Sequence, residues 1–272
     1  MDDLIIVDLE TTGTNPQLDK IIEIGALKIR DDEVIEEFSS FVDPDRKLSQ
    51  DVKNITGIKD KDLETAPPIE EVLEEFSNFR EKLPLMAHNM DFDQSFFEKN
   101  DIEGKFLDSL NLACLLLPIE KKHTQEYLLE SCCDITYDAH RAMEDVKNLY
   151  KLYQFLLARV EEVDERLRKE FKEALKNSNW EFKELFQKKG GKDDSYITKA
   201  AEEAEYCPKQ LPENSSGLPL AHLLSWLFYT ETGNKNEISY WVRRKYEDFF
   251  RNIAIQKCKG KCNYFNNNER LF

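Results

Sequence analysis

Long apolar runs are absent from this chain of 272 residues. No stretch approaches the ~18 consecutive apolar residues that a membrane-spanning helix needs. The first residues, Met1, Asp2, Asp3 and Leu4, also lack the basic and apolar regions of a secretory signal peptide. These absences argue against a membrane-spanning or secreted protein, and we expect a cytoplasmic protein without a membrane partner.

Cysteine is scarce, with 6 residues in the chain. So few thiols over this length do not form the disulfide framework of a small secreted domain, so free thiols in a reducing compartment are expected. Basic residues are outnumbered, because 38 Lys and Arg stand against 54 Asp and Glu. The net charge of −16 argues against a protein that binds nucleic acid by broad neutralisation of phosphates. Any nucleic-acid chemistry must therefore use bound cations or local basic patches.

The hydrophobic pattern predicts strands first and then alternating strands and helices. A buried strand covers 4–10, and two more at hairpin spacing cover 21–30 and 34–42, which together predict an antiparallel meander. After an amphipathic helix from Ile69 that Pro84 ends, the pattern gives a short strand at 85–88. Further helices are predicted over 94–100, 108–117, 124–133 and 139–175. This order predicts an α/β fold, a mixed β-sheet flanked by helices.

Asp8 and Glu10 lie two residues apart on the first strand, directly before Thr11, Thr12 and Gly13. Strand side chains alternate, so both carboxylates project from one face. Two acids at the end of an apolar strand are costly to bury unless they are paired or metal-bound. The alternative interpretation is a polar strand end without a ligand.

Two further segments carry polar residues at the ends of predicted elements. His88 to Asp93 follow the short strand, where Asn89 or Asp91 could alternatively cap a helix. His140 precedes Asp145 by five residues, which on a regular helix would point the two side chains ~140° apart. His140 must therefore come from the loop or the frayed first turn if it shares a site with Asp145.

The three segments together resemble the exonuclease motifs of the DEDDh (DnaQ-like) 3′→5′ exonucleases. The resemblance rests on D-x-E with T-T-G, then H-N-x-x-F-D, then H-x-x-x-x-D, and covers residues 1–157. It implies an RNase H-like fold. Residues 55–58, 107–118 and 140–142 add phrases similar to the same family.

The resemblance assigns a role to eight positions. It implies metal binding by four carboxylates, a general base, a main chain that holds the terminal 3′ nucleotide, and an orienting residue in the second motif. In that order the residues are Asp8, Glu10, Asp93 and Asp145; His140; Thr11 and Thr12; and Asn89. Asp91 falls on a variable position of the motif and is not expected to be a ligand.

The implied activity is hydrolysis of single-stranded DNA or RNA from the 3′ end to nucleoside 5′-monophosphates. It would use two Mg²⁺ or Mn²⁺ ions, which prefer carboxylate oxygens. A polymerase or a helicase is the partner that the resemblance implies. The competing class is a non-catalytic nucleic-acid-binding or scaffold subunit derived from an exonuclease–helicase fusion, and the intact residues at all five catalytic positions favour the enzyme.

The sequence changes character after residue 157. Residues 158–194 are predicted to form a charged helix and linker, although the first half reads equally well as the last helix of the first domain. Residues 195–272 are predicted to be a smaller, mostly α-helical region. Its segments 224–233, 237–239 and 258–265 resemble parts of the DinG-type iron–sulfur helicases. The chain has no G-x-x-x-x-G-K-[ST] phosphate loop, so ATP hydrolysis is not expected.

Three cysteines of this last region, Cys207, Cys258 and Cys262, match cluster ligands of those helicases, while Asn268 stands near the fourth position. Three thiolates make a poor iron–sulfur site. Zinc with His222 as a fourth ligand is an alternative, and free thiols are the simplest interpretation. A basic, aromatic stretch over 241–261 could grip single-stranded nucleic acid or be a solvated helix face.

Overall fold

The computed structural model describes residues 3–117, 120, 122–136, 141–163, 168 and 182–186. By packing, the chain divides into two units, Met1–Leu110 with Leu129–Gln154 and Asn111–Leu128 with Phe155–Phe272. The sheet and the acidic residues of the three motifs belong to the first unit. The predicted helicase-like region, with Cys207, Cys258, Cys262 and His222, lies outside the described residues.

A five-stranded mixed sheet forms the centre of the first unit. Its strands are β1 (Leu4–Thr11), β2 (Ile21–Arg30), β3 (Glu33–Phe41), β4 (Leu85–Ala87) and β5 (Phe106–Asp108). The order across the sheet is β3-β2-β1-β4-β5, with β1, β2 and β3 antiparallel and β1, β4 and β5 parallel. The predicted meander and the mixed α/β sheet are confirmed. β5 was not predicted, because Asp108 reads as part of a helical pattern that in the structure begins one residue later.

Seven α-helices and a 3₁₀ turn are found among the described residues. They are α1 (Gln50–Thr56), α2 (Asp60–Leu63), α3 (Ile69–Arg80), α4 (Asp91–Lys99), α5 (Ser109–Leu116), α6 (Gln125–Cys133), α7 (Ala142–Glu162) and the 3₁₀ turn Lys183–Phe186. Within these ranges no helix combines the length and the apolarity that crossing a bilayer requires.

The end of α3 differs from the prediction that Pro84 stops it. The helix ends at Arg80, because Glu81 adopts a left-handed conformation with φ 54° and donates its amide hydrogen to the Ser77 carbonyl. The Glu81 carboxylate then pairs with Lys28 and Arg30 of β2 at 3.0 and 2.7 Å. A capped helix end therefore replaces the proline as the stop signal.

The two faces of β1 have different environments. Ile5, Val7 and Leu9 point into the main apolar core, which α3 and α4 cover with aromatic side chains such as Phe76 and Phe97, whose rings stack 5.4 Å apart. Burying each such side chain contributes ~1.5–3 kcal/mol to folding. Because side chains alternate along a strand, Asp8 and Glu10 point to the opposite face.

Candidate functional site

Three carboxylates meet on the face of β1 that points away from the main core. Oxygens of Asp8, Glu10 and Asp145 all lie within 4.8 Å of one another. The first two are partly buried at the end of β1, and Asp145 is 7% exposed in the first turn of α7. The first and third sequence motifs are therefore brought together in one place.

Asp93 lies next to this group, although it is not one of the three with mutually close oxygens. It is 4% exposed in α4, where burial raises the pKa of its carboxyl and the backbone amides of Asp93 itself and of Leu9 on β1 partly oppose that rise. Its Oδ1 atom is buried and has no hydrogen-bond partner among the residues that the structure describes. A buried carboxylate oxygen without a donor is costly, so this atom needs a proton or a cation.

Burial and mutual repulsion raise the pKa values of Asp8, Glu10 and Asp93. Burial, and then the charge of Asp93, raise the pKa of Asp8 well above its ordinary value. Burial raises the pKa of Glu10 to about 7, with Asp145 and Glu23 adding to the rise and Arg141 opposing it. Burial also raises the pKa of Asp93 to about 8. The cluster therefore holds its negative charge at a high free-energy cost.

This donor set fits divalent cations. Carboxylate oxygens are hard ligands that suit Mg²⁺ and Mn²⁺, and a nearby cation would favour the charged form of every acid in the cluster. The buried Oδ1 of Asp93 is a further oxygen that could bind a cation, and the charge of Asp93 acts on Asp8 in the same group. Asp8, Glu10, Asp93 and Asp145 are thus the residues that could hold metal.

The start of α7 is fixed by a residue of β2 that sequence reasoning missed. The Glu23 carboxylate accepts two hydrogen bonds from the Arg141 guanidinium, at 3.0 and 3.3 Å, and one from the Ala142 amide at 3.3 Å. Gly25 lies two residues further, and a Cβ atom there would come within 2.5 Å of the Ala142 carbonyl carbon. The signal for Glu23 was available in the sequence, because it is a single acid inside an apolar strand.

The turn before α4 is fixed by Asp108 at the end of β5. Its Oδ1 accepts hydrogen bonds from the amides of Asn89, at 2.9 Å, and Leu110, at 3.0 Å. Asn89 has a left-handed φ of 69°, which asparagine tolerates better than most residues. The N-cap position of α4 is Met90, without a side-chain hydrogen bond, so neither Asn89 nor Asp91 occupies the capping position considered above.

Thr11 and Thr12 lie where β1 ends beside the carboxylates. The Thr11 hydroxyl donates to the Gly13 carbonyl at 2.7 Å, and the Thr12 amide donates to the Lys20 carbonyl at 2.9 Å. The Thr12 hydroxyl contacts Asp19 at 3.2 Å and accepts from Arg46. These contacts give the turn a defined shape. His140 lies outside the described residues, and α7 begins two residues after it.

Sequence relatives of this chain include bacterial DNA polymerases. The DNA polymerase III PolC-type of Thermotoga petrophila is 37% identical over 150 residues, covering 53% of this chain and 11% of the relative. That of Clostridium perfringens is 33% identical over 167 residues, covering 59% and 12%. The chain thus spans about a tenth of the length of these relatives.

Solved structures share the fold. The nuclease domain of 3′hExo, a DEDDh family member bound to rAMP, matches with a TM-score of 0.50 and 18% identity, over 58% of this chain and 92% of that one. A 3′-exonuclease with 3′-end specific recognition of a histone mRNA stem-loop matches with a TM-score of 0.50 and 19% identity, over 58% and 82%. Both support the RNase H-like exonuclease fold.

A family model described as RNase_T, an exonuclease, matches residues 5–153, which include β1 with Asp8 and Glu10 and the first half of α7 with Asp145. This match extends over more than half of the 272 residues, and the chain therefore belongs to the RNase_T exonuclease family.

Proposed function

We propose that this chain is a metal-dependent 3′→5′ exonuclease that removes nucleoside 5′-monophosphates from single-stranded DNA. The observation that carries the proposal is the group of Asp8, Glu10 and Asp145 oxygens within 4.8 Å, in a chain of an exonuclease family. A cluster of buried acids is unfavourable for a protein that only binds an anionic strand, whereas it suits one that recruits cations to the strand.

Each residue has a part in the proposed reaction. Asp8, Glu10, Asp93 and Asp145 would hold Mg²⁺ or Mn²⁺. When bound, two such ions would activate the attacking water and stabilise the leaving 3′ oxygen. His140 would accept the proton of the water, since an imidazole with a pKa near ~6.5 is uncharged at neutral pH. The backbone around Thr11 and Thr12 would seat the terminal nucleotide beside the carboxylates, and Asn89 would orient the turn that leads to Asp93.

DNA is the proposed substrate because the sequence relatives are DNA polymerases, and a polymerase is the proposed partner for the same reason. Single-stranded RNA is the alternative substrate. The two are distinguished by how the site treats a 2′-hydroxyl, which both donates and accepts hydrogen bonds.

The test uses 5′-labelled single strands of DNA and RNA with identical sequence, digested with Mg²⁺, Mn²⁺ or EDTA. We expect a ladder that shortens from the 3′ end with either metal, faster on DNA, and no cleavage in EDTA. Binding of both strands without any cleavage would instead support the scaffold subunit. Cleavage that continues in EDTA would contradict the metal-dependent mechanism.

We further propose that residues 195–272, which resemble part of a DinG-type helicase, form an accessory element that binds single-stranded nucleic acid without ATPase activity. The support is the missing phosphate loop and the basic, aromatic stretch over 241–261. Replacing Lys257, Lys259 and Lys261 by glutamine in the full chain should weaken binding to single-stranded DNA. It should also flatten the dependence of binding on salt, because fewer counterions are released. Unchanged affinity and salt slope would contradict this role.

A further inference from the structure

We propose that Glu23 and Arg141 form a clamp that positions Asp145 and thereby sets the affinity of the carboxylate group for divalent metal. The inference rests on the proposed function, because it concerns the same group of acids. It adds two positioning residues that do not themselves belong to the metal ligands.

Glu23 is an unusual residue for its place in the sheet. It lies opposite Glu10 in the pairing of β1 and β2, and its side chain is only 2% exposed. Like charges directly across a strand pair are destabilising, and a buried carboxylate needs a partner. The partner is Arg141, whose guanidinium donates to both carboxylate oxygens of Glu23.

The same carboxylate also holds the main chain where α7 begins. Glu23 accepts the amide hydrogen of Ala142, one of the helix-start donors that has no partner inside the helix. The carbonyl of Arg141 then accepts the amide hydrogen of Asp145 at 3.0 Å, the bond that closes the first turn. The position of Asp145 thus depends on a residue whose side chain and neighbouring amide are both bound to Glu23.

Two further contacts restrict how the clamp can move. An added Cβ at Gly25 would meet the Ala142 carbonyl carbon at 2.5 Å and the Met143 nitrogen at 2.6 Å, so the helix start lies directly on the strand. The Arg141 guanidinium carbon lies 5.2 Å from the ring centroid of Phe41 at the end of β3. The start of α7 therefore rests directly on the backbone of β2 at Gly25. Arg141, just before the helix, is held by its contacts with Glu23 and Phe41.

The test measures Mn²⁺ binding to the full chain by electron paramagnetic resonance, without a substrate. Three variants are compared with the wild type: Glu23→Gln, Arg141→Gln and the double variant. Electrostatics alone predicts that losing a negative charge at Glu23 weakens Mn²⁺ binding and that losing a positive charge at Arg141 strengthens it. Positioning instead predicts that both single variants bind more weakly, by ~10-fold or more, as for other residues that orient metal ligands.

The double variant gives a second criterion. If the two residues act as one clamp, the double variant should bind Mn²⁺ no more weakly than the single variant with the lower Mn²⁺ affinity. Either single change already breaks the contact between Glu23 and Arg141. Hydrolysis at rising Mn²⁺ should also recover in the variants, because a positioning defect in metal affinity is overcome by excess metal. A control is Glu36→Gln, which removes the ion pair between Glu36 on β3 and Lys28 on β2 and should leave Mn²⁺ binding unchanged.

The outcomes separate the clamp from the nuclease proposal. Tighter Mn²⁺ binding by Arg141→Gln, or binding by both single variants within twofold of the wild type, would overturn the clamp whatever the activity. Weakened binding in both variants of a protein whose wild type cleaves nothing would support the clamp and contradict the nuclease. Arg141 is 52% exposed, so Arg141→Gln is expected to fold and decides the question if Glu23→Gln does not.

Discussion

Glu10 and Glu23 lie directly opposite each other on β1 and β2, on the same face of the sheet. Such a pair of like charges costs on the order of 0.2–1 kcal/mol on an exposed sheet surface, and more where water is excluded. Here the pair adjoins Asp8 and Asp145, and the Arg141 guanidinium binds one member of it. The clustered acids therefore destabilise the metal-free protein and at the same time favour the binding of cations.

The first prediction is that Asp8→Ala and Asp145→Ala abolish metal-dependent cleavage while the fold persists. Each change removes one of the three close carboxylates, so Mn²⁺ binding should fall by at least ~10²-fold. The metal-free variants should unfold at a temperature equal to or higher than the wild type, because burial and repulsion of a charge are relieved. Calorimetry in EDTA and a cleavage assay measure both effects, and near wild-type cleavage by either variant would contradict the metal assignment.

The second prediction distinguishes two neighbouring aspartates of α4. Asp93→Asn should lower the cleavage rate strongly, because it removes the charge of a buried carboxylate whose Oδ1 has no donor among the described residues. Asp91→Asn is the matched control, since Asp91 is exposed at the start of the same helix and the motif leaves its position variable. Steady-state rates at saturating Mg²⁺ compare them, and equal losses in the two variants would count against Asp93 as the ligand.

The third prediction concerns the pH dependence of stability without metal. Folding raises the pKa of Asp93 from 3.8 to about 8 and that of Glu10 from 4.5 to about 7. Between pH 4 and 8 the folded state therefore binds more protons than the unfolded state, and stability should fall as pH rises through this window. Urea unfolding in EDTA at several pH values should show this slope, and Asp93→Asn should flatten it.

Added metal should reverse the trend. Cations bind the deprotonated carboxylates, so the stabilisation by Mg²⁺ or Mn²⁺ should grow as pH rises over the same range. A metal-free protein whose stability increases between pH 5 and 8 would show that these acids are not buried together in solution.

Much of the fold follows from the sequence pattern, because β1 is a short apolar run rich in β-branched residues and β2 and β3 follow it at hairpin spacing. The hairpin residues Asp31 and Asp32 both have positive φ, which suits the tight turn between paired strands. β5 escaped prediction because its last residue, Asp108, reads as part of the helical pattern that follows it, and the true end of α3 depends on contacts of Glu81 with distant β2. Local pattern cannot reveal such long-range partners.

At the candidate site too, some residues are identified by the local sequence pattern and others only by their long-range contacts. The motif residues Asp8, Glu10, Asp93 and Asp145 could be named from the sequence, since each has a recognisable neighbourhood. The contact between Glu23 and Arg141 joins residues 118 positions apart, and nothing in either local segment specifies the other. Asp108 likewise stabilises the turn at Asn89 from another strand.

The fourth prediction uses two glycines as a matched pair. Gly25→Ala should push the start of α7 off β2, because the new Cβ would overlap the Ala142 backbone, and should weaken both stability and Mn²⁺ binding. Gly57→Ala introduces a side chain into open space at a φ of 70°, so it should cost ~1–2 kcal/mol in stability through backbone strain alone. Urea unfolding and Mn²⁺ titration of both variants measure this, and unchanged Mn²⁺ affinity in Gly25→Ala would contradict the importance of the close contact.

The fifth prediction is that His140→Ala loses ~10²–10⁴-fold in cleavage rate while it keeps its metal and DNA affinity, because proton abstraction affects the reaction step only. A general base acts in its neutral form, so the wild-type rate should rise with pH through the pKa of the imidazole and then level off. The His140→Ala rate should lack this rise and follow hydroxide concentration instead.

His123→Ala is the control, since that ring bonds to the Leu117 carbonyl at 2.9 Å and has no assigned part in the reaction. Single-turnover rates from pH 6 to 9 at saturating Mn²⁺ separate the two variants. A His140→Ala protein with the wild-type rate and profile would show that another group takes the proton.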